Sequence, residues 1–442
     1  MSSPPPESTD DTPPPRTPTV KRRLQTWTQE QIGNRVGFAD PLATVPEHEL
    51  REGIRILSGK LESVEISELE RAVEVARVAD VYYDVAKGNT SDTPLPVTLT
   101  ESEKLSLVAE REKLFSQRGM LVIICTVSLA AFLQGHVQSS INAGTLFANN
   151  VGIDRKESEI TNGKSTADWK LGAMNASPFL AAAFPGAPLS LPVNYCVGRR
   201  GALGLSAVLI IASSLGSAFA TRWEEIFGAR IIGGLGMGIK AVSAPILASE
   251  TAVGYWRGST ILAWQLWVAC GIMIGFVVNL VIAAAAQTLH SRPGNDTDDR
   301  RLLTFQLILG APLVPALLLA VAVCFCYESP RFYMRPNTPN YNLARALTIL
   351  EKVRDTRLQA LRDLFLIWWS NKELANDDDA TDDTTPQSSE LDAGLSYAAR
   401  AHVVFKLSAG QYKTLFKKRR LRNAIWSTCT VALAQQLCGS MY

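Results

Sequence analysis

G-A-R-I-I-G-G-L-G-M-G-I-K-A-V-S-A-P-I-L-A-S-E-T-A-V-G-Y-W-R-G, residues 228–258, is the stretch on which the fold turns. Arg230 opens a long apolar run. Gly234 and Gly238 stand four apart, with Gly233 and Gly236 among them, and Glu250 and Arg257-Gly258 close it. In a water-soluble helix each such glycine costs about 1 kcal/mol relative to alanine. In a bilayer the spacing is favourable, because small residues at i and i+4 let two helix backbones approach closely. The stretch reads as a membrane helix whose glycine face meets another helix. A buried arginine marks its outer end and a Glu/Arg corner its inner end.

Similar runs lie on both sides: 120–135, 171–193, 202–220, 260–286 and 302–326, with a further one from Ala424 to Tyr442. Most approach the ~20 residues that cross a bilayer core, where helices satisfy their own backbones. The run 171–193 carries Pro178, Pro185, Pro188 and Pro192, tolerable where neighbours satisfy the freed carbonyls. The flanks are polar. A net charge of +2 gives no electrostatic footprint for nucleic acid. The seven cysteines lie in or beside apolar runs and show no zinc-like spacing. Neither a disulfide framework nor a metal or cofactor is expected. No span carries a nucleophile–base pair, so an enzyme is not expected either.

The chain divides by composition. Residues 1–20 are rich in Pro, Ser, Thr and Asp, and 1–39 read as a disordered cytoplasmic tail. Residues 40–118 mix apolar and charged positions as short amphipathic helices do, with a capping-box pattern, T-E-S-E, at 100–103. The expectation for them is a solvated extension, with a docking tail as the alternative. Residues 119–327 hold six transmembrane helices, 328–422 a charged central loop with short helices, and 423–442 the start of a seventh span. Lys and Arg concentrate before the first span, at Arg199-Arg200, and after the sixth, which places the N-terminus and central loop in the cytoplasm. A multi-pass protein of the plasma membrane is expected. Asn295-Asp296-Thr297 then falls outside as a glycosylation sequon.

Four motifs add a resemblance. Gly198-Arg199-Arg200 follows the second span. Arg230 to Gly258 reads R-x-x-x-G-x-G-x-G, then P, E and R-G. Glu328-Ser329-Pro330-Arg331 follows the sixth span, and Gln435-Gln436-Leu437-Cys438-Gly439 lies in the seventh. In this order, each at the corresponding end of a span, they resemble a fungal sugar porter of the major facilitator superfamily. The resemblance implies an all-α membrane fold built on a six-helix N-terminal bundle. It implies transport of a sugar or polyol by alternating access, with the lipid bilayer as the other partner and protons as a candidate co-substrate.

The resemblance also assigns residues. Gln265 in span five, Gln435 and Gln436 in span seven, and Asn142 after span one stand at sugar-binding positions; a carboxamide offers donors and an acceptor to hydroxyls. Arg199, Arg200, Glu250, Arg257, Glu328 and Arg331 fall at cytoplasmic helix ends as a gating network. Asn194 and Tyr195 stand where the family carries an acid or Asn before the G-R-R turn, so an acidic partner is missing there. Proton-coupled members pair an acid in span one with the arginine matching Arg230. Here Q-G-H-V-Q at 134–138 puts Val137 in that place, and Val137 cannot titrate. Weakened or lost proton coupling is expected, with His136 the one adjacent substitute. Arg230 must then find a carbonyl, water or another anion, Glu224 and Glu225 being nearest in sequence. Family members carry a second six-helix bundle, so the chain is expected to be incomplete. The rival reading is a non-transporting membrane nutrient sensor or degenerate fragment.

Overall fold

The computed structural model describes residues 42, 45–88, 96–113, 116–144, 164–289, 297–336, 338, 340–379, 405, 409–410, 412, 416–417 and 419–437. The tail 1–39 and the sequon residues Asn295 and Asp296 lie outside them. Every regular element among the described residues is helical. Six helices are long and apolar enough to cross a membrane: span one Arg118–Asn142, span two Ala167–Cys196, span three Gly198–Phe219, span four Trp223–Thr251, span five Gly254–Ala286 and span six Leu302–Phe325. A further helix, Arg419–Leu437, carries the start of the last apolar run.

Span four is the bundle's most enclosed helix, and its glycines serve two neighbours rather than one. A methyl group at Gly234 would overlap the carbonyl oxygen of Pro178, and one at Gly238 that of Ala182, both on span two. At Gly233 it would overlap Ser213, and at Gly236 it would meet the Ser206 carbonyl at 3.0 Å, both on span three. The i, i+4 pair thus faces one helix and the flanking glycines another. Span two meets this surface with a π-helical turn, Ala182–Gly186, around Pro185. The wider turn accommodates the missing proline N–H.

Spans one and five pack as closely. Gly135 lies against the Val268 carbonyl, Gly271 against Phe132 and Gly275 against Ser139. Span one runs past the apolar stretch that ends at Gly135. Its polar continuation stays helical because this contact buries it: His136, Ser139 and Ser140 are all buried, and the Asn279 amide donates to the Ser139 carbonyl at 3.2 Å. Span five exposes a long apolar surface that includes Leu262, Leu266, Met273 and Leu280.

The segment before span one is packed, in place of the solvated extension expected. Helices Glu47–Gly59, Ile66–Arg77 and Ala79–Ala86 share one apolar core with Leu343–Val353 and Arg357–Asp379 from beyond span six. Leu50, Leu57, Leu69 and Val73 meet Leu347, Leu361, Leu364 and Phe365 there. Neither set can bury its stripe alone, which is why two segments almost 300 residues apart coalesce into one helical cap. Thr100 forms the capping box, its hydroxyl accepting from the Glu103 amide and the Glu103 carboxylate from the Thr100 amide, and opens the helix Glu101–Glu112.

Charge ties the cap to the bundle. Arg362 pairs with Glu110 at 2.6 Å, and Asp363 with Arg354 at 2.6 Å. Arg354 also donates to Gln117 before span one (3.0 Å) and to the Thr251 carbonyl that ends span four (3.1 Å). Burial by itself would raise the Asp363 carboxyl. The guanidiniums of Arg362 and Arg354 outweigh it and hold the group below the usual carboxylate range.

Substitution separates the two kinds of glycine. Gly238→Leu forces a side chain into the span-two backbone and should cost about 2–3 kcal/mol or prevent folding. Gly228→Leu, with nothing within 4 Å of its added carbon, should leave the melting temperature of the detergent-purified chain nearly unchanged.

Candidate functional site

At the end of the bundle next to the cap, the helix ends converge on one carboxylate. Span three begins at Gly198, whose φ of +84° suits glycine. The Glu328 carboxylate sits where a Gly198 side chain would be. Its oxygens accept from the amides of Arg199 at 2.9 Å, Arg200 at 3.1 Å and Ser329 at 2.9 Å. A carboxylate on the first amides of a helix also meets the positive end of its dipole. Burial pushes Glu328 above the usual range, and these amides oppose that shift. The G-R-R turn therefore has its acid, supplied from beyond span six rather than from span two.

Two arginines extend the latch. Arg199, 1 % exposed, donates to Glu250 of span four at 2.8 Å, and the Ser329 hydroxyl donates to the other Glu250 oxygen. Arg200 donates to the carbonyls of Val323 and Cys324, both at 2.9 Å, satisfying the end of span six. Arg199, Arg200, Glu250 and Glu328 thus join spans three, four and six. Arg257 and Arg331 are not drawn in. They line a cavity of about 440 Å³ between latch and cap, beside Glu250, Arg354, Arg362 and Asp363. The Nε of each is buried with no hydrogen-bond partner among the described residues.

Arg230 is 4 % exposed. Its Nη1 donates to the Met174 carbonyl and to Asn175 Oδ1, both at 2.9 Å. The carbonyl among the expected partners is the one found, and the two acids are not. Glu225 folds back onto the Thr221 and Arg222 amides, capping its own helix, and Glu224 is exposed. A cap satisfies amides that would otherwise lack partners, so Glu225 stays at the helix end. Val137 lines the small cavity beside Arg230. His136 is buried next to Phe132, ring centroids 6.1 Å apart, with its Nδ1 unpartnered among the described residues. It belongs to the span one–five contact and does not line the Arg230 cavity.

Gln265 is exposed on span five, and Asn142 is half-buried at the end of span one. With Gly275 set against Ser139, Asn142 lies level with residues near 278. Gln265 is therefore about 20 Å away along the axis, at about 1.5 Å per residue. Gln435 and Gln436 lie on the helix Arg419–Leu437, their side chains outside those described. Among the described residues no cluster of His, Cys, Asp and Glu could hold a metal.

Lys240 is the residue to which the sequence reading gave no role. It sits within span four at 0 % exposure, and its ammonium has no hydrogen-bond partner among the described residues. The signal was a lone cation inside an apolar run, which in a membrane helix marks a functional position by default.

A bundle of six apolar helices, locked by charge at one end and holding a buried arginine near the other, is a major-facilitator-type architecture. The solved proton:xylose symporter XylE bound to 6-bromo-6-deoxy-D-glucose shares the fold, with a TM-score of 0.51 and 23% identity over 58% of this chain and 54% of that one. The family model described as sugar (and other) transporter matches residues 121–442, and the chain belongs to that family. Its relatives include the arabinose-proton symporter of Escherichia coli (strain K12), 30% identical over 45% of this chain and 36% of that one. The galactose-proton symporter of the same strain is 28% identical over 56% and 47%, and a myo-inositol transporter of Gibberella moniliformis 26% identical over 48% and 32%. The chain thus spans less than half the length of each of these three. The family is one of transporters rather than enzymes.

Two variants probe the latch. Gly198→Ala places a methyl group on Glu328 and strains the backbone, and should cost about 2 kcal/mol or more in thermal unfolding. Glu328→Gln addresses the pH dependence. A carboxyl raised on folding contributes stability that is fully present below its unfolded pKa, near 4.5, and is lost as pH rises through the folded value. The slope of stability against pH above 4.5 should therefore flatten in the variant.

Proposed function

We propose that this chain supplies the first bundle of a transporter that moves a sugar or polyol by alternating access, one bundle rocking against a second. The observation that carries the reading is the family match over residues 121–442, which contains the latch. Membership supports a sugar or polyol as cargo. In this reading Gln265, Asn142, Gln435 and Gln436 contact hydroxyls at successive depths of the path. Arg199, Arg200, Glu250 and Glu328 hold the inner ends closed, while Arg257 and Arg331 engage in another state. The excess of Lys and Arg on the latch side supports a cytoplasmic position for the cap and the N-terminus, in a plasma membrane.

Proton coupling is weakened or absent in this proposal. The relatives named symporters pair sugar with protons, whereas the Arg230 cavity here is lined by Val137 and, among the described residues, by no carboxylate. His136, away from that cavity, does not replace an acid there.

Uptake by proteoliposomes containing the purified protein tests both parts. Labelled arabinose, galactose, xylose and myo-inositol should be screened with and without a pH gradient. Entry of at least one that persists, within about twofold, after an uncoupler is the expected result. Entry abolished by the uncoupler would overturn the coupling proposal. No entry of any substrate would favour a sensor that binds without transporting.

A further inference from the structure

Among the described residues, the pocket beside Arg230 holds donors and no counter-charge. The Arg230 guanidinium lies in the span interior, and among the described residues its two hydrogen bonds run from Nη1 to neutral acceptors, a carbonyl and an amide oxygen. A buried charge with only neutral partners is expensive in a dry interior, and more so in a membrane helix. Beside it lies a cavity of about 40 Å³, whose polar lining is Ser140, Ser213, Ser214, Ser217 and Arg230. Among the described residues, no Asp or Glu lines it. Ser140 is 2 % exposed, and its hydroxyl has no hydrogen-bond partner among the described residues.

We propose that this cavity is a binding site for a small monatomic anion of the halide class, with chloride its occupant. Everything polar around it can donate: the guanidinium N–H groups and four hydroxyls. A cation is excluded by Arg230 itself. The size selects further. A water needs about 10–15 Å³ of such space, so 40 Å³ accepts one chloride with a water beside it and leaves no room for an organic acid. The anion neutralises Arg230 where a fixed carboxylate is absent, and its donors come from spans one, three and four, so it draws the three helices together. The site does not depend on sugar being moved, and its test reads stability rather than uptake.

Thermal unfolding of the purified chain in lipid nanodiscs, titrated with sodium chloride against sodium gluconate at constant ionic strength, gives the measurement. A saturable rise of several degrees in Tm with chloride, reproduced by bromide, is expected. Ser140→Ala should weaken the half-saturating chloride concentration several-fold. Val137→Asp places a carboxylate in the same cavity and should remove the chloride response altogether. Equal Tm in chloride and gluconate for the unmodified chain would overturn the proposal and leave water in the cavity. So would a Ser140→Ala protein whose half-saturation is unchanged. Should Val137→Asp fail to fold, the Ser140→Ala titration still decides.

Discussion

Backbone touching backbone at Gly234 and Gly238 sets the geometry that everything else in the bundle inherits. Lipid tails are as apolar as leucine side chains, so burial in a bilayer supplies little drive for helices to meet. What remains is dispersion, which fades within an ångström of lost contact. Span two can therefore lie against span four only where side chains are absent. Gly234 reaches the Pro178 carbonyl, and Gly238 the π-helical turn at Ala182–Gly186. This contact fixes span two in depth, and so decides that Met174 and Asn175 arrive at Arg230. Shifting span two by one turn, about 5.4 Å, would leave the guanidinium without either acceptor.

At the other end the same rigidity gathers charges. Exposed ion pairs are individually worth little, ~0–1 kcal/mol, but the latch is not exposed. Arg199 is 1 % accessible, and Glu328 is enclosed by three amides. Removing one partner of a buried pair costs about 3–5 kcal/mol because the other charge is stranded. The groups of the latch are therefore energetically coupled, each depending on the others for its partner. Arg257 and Arg331 border the cavity beside it, and among the described residues neither makes an ion pair. The cap bears on the same point. Arg354 reaches from the Asp363 pair to the last turn of span four, so movement of Glu250 and movement of the cap are mechanically joined.

The legible parts of the sequence were those in which the physics is local. Six spans follow from runs of apolar residues, the Thr100 capping box from four adjacent letters, and the G-R-R and E-S-P-R corners from their positions at span ends. What could not be read depends on partners brought together by folding. Glu328 lies 130 positions from Gly198, and nothing near either residue shows that one fills the space the other leaves open. The reading of a missing acid at the G-R-R turn looked only at residues 194 and 195. Glu225, close to Arg230 along the chain, was spent on its own helix cap, and Asn175, 55 positions away, was the side chain that mattered. The cap was hidden for the same reason: two half-amphipathic segments each look solvated until the other is set beside it.

Charge in the bundle interior is asymmetric. Among the described residues, span four buries two cations, Arg230 and Lys240, and no Asp or Glu is buried between the ends of any of the six spans. They lie ten residues apart, about 15 Å along the helix, too far to share a counter-charge and on different solutions to the same problem. The Arg230 guanidinium must be met with acceptors, which Met174 and Asn175 partly supply. Lys240 meets none among the described residues. One helix therefore buries two cations, one near its first turns and one further along. Whatever packs beside span four must therefore bring acceptors to Arg230, as Met174 and Asn175 of span two do.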